Sequence, residues 1–129
     1  MRYVVVCVGV ILGACSTPTD PNALPDGAEW LEPVPAEYAE WWRALEGCSG
    51  LRGDFATVRF VVWPDRVVIP DTRWMGYAHT DTRIIELAGR ALGPTIRHEM
   101  LHMLGVGGHP EEFFVRRCGE IITNYQSGT

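Results

Sequence analysis

His98-Glu99-Met100-Leu101-His102 is the stretch of this chain best suited to chemistry. On a helix, residues four apart share a face about one turn (~6 Å) from each other. Two imidazoles so placed reach one metal ion. Glu99 follows His98 by ~100° of rotation, so its carboxylate borders the same site without having to ligate. There it can take a proton from a metal-activated water and pass it to a leaving group. Gly105, Gly107 and Gly108 let the chain turn sharply, and His109 then precedes Pro110. A residue before proline is held extended, so His109 leaves the turn in a defined direction and can swing back as a third ligand. Three histidines with an open fourth position are the pattern of a catalytic rather than a structural zinc site.

The run H-E-x-x-H-x-x-G, His98 to Gly105, resembles the zincin metallopeptidases, and the glycine turn with its later histidine is similar to the metzincin branch. The third histidine of that pattern would fall at Gly108; His109 comes one residue later, and no downstream Met-turn is evident. The resemblance implies zinc-dependent hydrolysis of a peptide or protein substrate, with one Zn2+ held by His98, His102 and His109. Glu99 would be the catalytic base and then acid. It also implies an α+β zincin-like domain with a twisted, mainly antiparallel sheet, an active-site helix and a short C-terminal helix. A sheet strand would run beside the cleft and bind extended substrate by strand addition. Zincins with a glutamate third ligand leave Glu111, Glu112 and Glu120 as alternatives to His109. The other reading is a non-catalytic zinc-binding or interaction lipoprotein with a structural or degenerate site.

The elements that must hold these groups are readable. Pro94 suits a first helical position and Gly105 a helix terminus, so a helix over 94–104 is expected. Ile96, Met100 and Met103, with Leu101 and Leu104 beside them, make it apolar over most of its circumference. Its histidines and glutamate are costly to bury unless something binds them. A second helix is expected from Ala36 to Glu46, closed by Gly47, with Tyr38, Trp41, Trp42 and Leu45 on its inner stripe. Val58, Phe60 and Val62 alternate with Thr57, Arg59, Val61 and Trp63 in a strand over 55–63. Further strands are expected at 66–69, 74–78 and 83–87, with Gly76 at a bulge or a close backbone approach. A short helix over 111–117 follows, with Phe113 and Phe114 as its core contacts, then a possible strand at Ile121-Ile122. His79, Tyr77 and Tyr125 are weaker candidates for the site. A histidine in a polar turn is more often simply solvated.

The chain opens with Arg2 and an apolar run from Tyr3 to Leu12, too short to span a bilayer as a mature helix. Leu12-Gly13-Ala14-Cys15 resembles the bacterial lipobox, in which the cysteine is acylated. Residues 1–14 are therefore expected to be a lipoprotein signal peptide and Cys15 the lipid attachment site. Several acyl chains on one residue would tether the protein to the bacterial cell envelope. Residues 15–35 hold five of the nine prolines and suit a semi-extended tether. That leaves 36–129 as the metal-binding domain. Cys48 and Cys118 then remain as a pair, which in an oxidising compartment is most simply a disulfide. A Cys2His2 zinc site of Cys48, Cys118, His98 and His102 would leave Glu99 and His109 without purpose. The formal charge of −5 and the lack of any basic run argue against a nucleic-acid partner. A monomer is expected.

Overall fold

The computed structural model describes residues 20 and 22–126. The expected leader and Cys15 lie outside them. The architecture is α+β: a four-stranded mixed sheet with helices packed on one face. The strands are β1 (Glu29–Trp30), β2 (Arg59–Trp63), β3 (Gly76–His79) and β4 (Ile84–Ala88), in the order β1-β2-β4-β3. The helices are α1 (Ala36–Ser49), α2 (Gly93–Met103) and α3 (Gly119–Asn124). The β1–β2 and β3–β4 pairs are antiparallel and β2–β4 is parallel. None of the described helices is long and apolar enough to cross a membrane.

The period-two alternation of β2 holds from Arg59 onward. Phe60 faces the helices together with Ile85 and Leu87 of β4, while Val61, Trp63 and Glu86 face the other side. The residues before it differ from expectation. Phe55–Thr57 forms a 3-10 turn capped by Asp54, whose side chain accepts from Ala56 N–H. Residues 66–69 are not a strand despite Val67, Val68 and Ile69. Pro64 turns the chain, and the backbone groups then make isolated bonds rather than a ladder: Ile69 N–H bonds Trp74 O five residues on, and Arg66 O accepts from Gly89 N–H just beyond β4. Glu29 and Trp30, within the expected tether, pair with Val62 and Val61. The Arg59 guanidinium lies 3.5 Å over the Trp30 ring.

Helix α1 runs through Gly47 and ends at Gly50, whose φ of 75° is the left-handed conformation that a helix stop requires. Cys48 therefore sits on the last helical turn, bonded to Cys118 across a sequence separation of 70. A loop of that length implies about 4 kcal/mol of stabilisation on the chain-entropy account.

Residues 112–117 form a π-helical turn rather than an ordinary helix, and the charges follow its wider period. Arg116 pairs with Glu111 and Arg117 with Glu112, each five residues apart. Ile121 and Ile122 belong to helix α3, not to a strand. The buried Arg97 of α2 donates to Ile122 O at 3.1 Å and lies over Trp41, tying α3 and α1 to α2.

Candidate metal centre

Helix α2 opens with Pro94 in its first turn and gives way to Gly105, at φ 112°. Met100 and Leu101 are fully buried, and Ile96 and Met103 nearly so. That burial pins the helix between the sheet and α1, and the pinning fixes where His98, Glu99 and His102 point. His98 and His102 emerge on one side with ring centroids 4.9 Å apart. The turn at 105–108 then brings His109 back to them.

The three Nε2 atoms form a nearly equilateral triangle. His98 and His109 are 3.0 Å apart, His98 and His102 3.2 Å, and His102 and His109 3.3 Å. Among the described residues this is the group of three potential ligands whose atoms converge. His102 Nδ1 donates to the Val106 carbonyl at 2.7 Å, which leaves its Nε2 as a bare lone pair. Each neutral imidazole has a single N–H, and that of His102 points elsewhere. No set of neutral tautomers can therefore make all three Nε2 contacts favourable at once. A cation at the centre can. Three nitrogens ~2.0–2.1 Å from a tetrahedral metal stand about 3.3–3.4 Å apart, so the cluster needs only a few tenths of an ångström of adjustment.

Protonation favours the same reading. Burial holds His98 far below the ordinary imidazole range, at about 4, and its neighbours His102 and His109 push the same way. Burial also lowers His102, opposed by its bond to Val106 and assisted by His109. Both rings are thus neutral near pH 7, the form in which imidazole binds a metal. The donor set fits a metal ion.

Glu99 is buried beneath strand β3. Desolvation raises its carboxyl to about 7, partly offset by a hydrogen bond from the Ala78 backbone. That contact depends on Gly76, where a Cβ would meet Glu99 Cγ and Thr95 Cγ2 at 2.9 Å each. The expected close approach at Gly76 is therefore present, with the catalytic candidate as its neighbour.

Strand β3 is a sheet edge. Met75 O accepts from Ala88 N–H at 2.8 Å. Antiparallel ladders alternate, so Gly76 and Ala78 turn their N–H and C=O groups away from β4 and toward α2. Open clefts flank the histidines along this edge. One of about 390 Å3 is bordered by Ala78, His102, Val106 and His109, and the other, of about 440 Å3, by Arg73, Trp74, His98 and Glu99.

Of the weaker candidates, Tyr77 also lines the first of these clefts; the others lie elsewhere. His79 points to the opposite sheet face, where its Nε2 meets Glu86 at 2.8 Å. Glu111 and Glu112 pair with arginines, and Glu120 accepts from Asn124. Tyr125 lies near Arg97. One residue at the cluster was not foreseen there. The Phe114 ring lies 4.6, 4.9 and 5.1 Å from the rings of His98, His102 and His109. Its only sequence signal is its place in an apolar pair after the histidine turn. Comparison with known protein families, with curated proteins and with solved structures found no match to this chain.

Proposed function

We propose that this protein is a zincin-like, zinc-dependent peptidase tethered to the bacterial cell envelope. The convergence of three Nε2 atoms within 3.0–3.3 Å carries the proposal, because a bound cation is what reconciles them. A zinc ion there would supply Lewis acidity, polarising a carbonyl and acidifying water. Glu99, one residue along α2 and shielded by β3, is suited to move the proton. A carboxyl near 7 can accept a proton from attacking water and return it to the departing amine at neutral pH. On this edge strand the outward N–H and C=O of Gly76 and the C=O of Ala78, whose N–H is given to Glu99, suit an extended peptide, which they would hold by strand addition across both clefts. The lipobox-like Leu12–Cys15 supports the envelope location.

Two measurements test this. Protein purified without added zinc should contain about one zinc per chain by mass spectrometry. Glu99→Gln should keep that metal and lose peptidase activity by on the order of 10²–10⁴-fold. A metal-loaded protein whose activity is the same in that variant would remove Glu99 from its role. A chelator that melts the fold would favour a structural metal instead.

A further inference from the structure

A histidine that ligates a metal is usually oriented from behind, its second ring nitrogen donating to a carbonyl or carboxylate. Here His102 follows that rule through Val106. His98 and His109 do not: among the described residues, their recorded hydrogen bonds are those within the cluster, at Nε2. Something else must stop these two rings from rotating about their Cβ–Cγ bonds.

Among the aromatic side chains of the described residues, it is Phe114 that meets all three imidazoles from outside the cluster. Its ring is tilted 45°, 46° and 55° to those of His98, His102 and His109, with every centroid within 5.1 Å. These are the separations of packed aromatic pairs. The backbone that carries the ring is tied down at both ends. Phe113 and Phe114 both donate backbone N–H groups to Pro110 O, so the turn carrying Phe114 is tied to the residue next to His109. At the far end, Cys118 N–H bonds Phe113 O and Cys118 is stapled to α1. The extra residue per turn of the π geometry changes which side chains fall on the inner face of this segment, and here that face includes Phe114.

Resting on the metal-site reading above, we infer that Phe114 is a positioning residue: its ring is the floor that orients His98 and His109 for metal binding, where no hydrogen bond does so.

The test uses the disulfide-bonded chain, with zinc affinity measured by competition with a chromophoric chelator and geometry by the visible spectrum of the cobalt(II) form. Phe114→Ala should bind zinc about 10- to 100-fold more weakly, and its cobalt band should weaken toward that of a more hydrated ion. Phe114→Leu, which keeps much of the volume, should fall between. Val115→Ala, on the same turn but 63% exposed, should match the parent. Affinity within twofold of the parent for Phe114→Ala overturns the inference. So does a lowered melting temperature with an unchanged cobalt spectrum, which is the signature of packing alone. Should Phe114→Ala fail to fold, Phe114→Leu decides, and parental affinity with a parental spectrum overturns it. A parent that binds no zinc removes the metal-site reading and this inference together, whereas a parent that binds with indifferent variants removes only the role of Phe114.

Discussion

The two faces of the sheet each carry histidine, and they treat it differently. On the open face, His79 meets Glu86 at 2.8 Å, and the same carboxylate accepts from Trp63 Nε1 at 2.6 Å. In this small network each oxygen of the Glu86 carboxylate meets one ring nitrogen, a partner of opposite character. On the helix side, three imidazoles meet one another and no carboxylate reaches them among the described residues. Their nitrogens are mutually frustrated, and the nearest acid in sequence, Glu99, is turned under β3 toward the Ala78 backbone. A histidine matched by an internal partner needs nothing from outside. A cluster whose members cannot satisfy each other is one that a bound cation would reconcile, as proposed above.

The comparison breaks most decisively by removing one histidine from each face. Structural zinc sites of four ligands bind with ~10–16 kcal/mol, so one ligand is worth roughly 3–4 kcal/mol, or about 10²–10³-fold in affinity. His102→Ala should lose that much zinc binding by chelator competition, and His79→Ala should lose none. Equal losses from the two variants would mean that metal binds at neither place specifically.

A smaller effect sharpens the division of labour on the helix side. Gly76→Ala places a methyl group 2.9 Å from both Glu99 Cγ and Thr95 Cγ2. Overpacking of this kind costs about 1–3 kcal/mol. The carboxylate must move while the histidine triangle, which Gly76 does not touch, stays in place. Peptidase turnover should therefore fall more than zinc affinity does. A variant that lost both in proportion would show that β3 supports the metal ligands as well as the acid.

How far the sequence discloses this arrangement depends on how local each feature is. His98, Glu99 and His102 share one turn of helix, so their geometry follows from the helix alone, and Pro94 and Gly105 mark its ends. The alternation from Arg59 to Trp63 likewise marks β2 as a strand, though not which face is buried, because Phe60 on one face and Val61 and Trp63 on the other are all buried. Competing signals obscured other elements. Gly47 and Gly50 both suit a helix stop, and only Gly50 takes the left-handed conformation. Val67-Val68-Ile69 carries strand propensity, yet the backbone groups of Ile69 bond to Thr72 and Trp74 in a local loop. Ile121-Ile122 is β-branched but lies on a helix that Arg97 clamps, a tertiary contact overriding a weak preference. The π turn has a signal that was legible in principle, the Glu–Arg spacing of five at 111–116 and 112–117. The place of Phe114 beneath three imidazoles was not legible, because it requires the turn at 105–108 and the disulfide together.

The smallest effect concerns protons in the metal-free protein, and it sets Glu99 against His98. Folding lowers His98 from 6.5 to about 4, so the native state binds fewer protons than the unfolded chain between those values. Its contribution is present above pH 6.5 and is lost as pH falls toward 4. Folding raises Glu99 from 4.5 to about 7, so its contribution is present below pH 4.5 and is lost as pH rises toward 7. Between about pH 4.5 and 6.5 the two slopes oppose each other and flatten the stability profile. Glu99→Gln removes one of them. Metal-free Glu99→Gln, unfolded by urea at a series of pH values, should gain stability from pH 4.5 to 6.5 more steeply than the metal-free parent. The unopposed slope then belongs to the imidazoles, and added zinc should extend it, because a metal competes with protons for the same lone pairs. Parallel profiles for variant and parent would mean that Glu99 has no raised affinity for its proton, and with it would go the basis for its proton-transfer role at neutral pH.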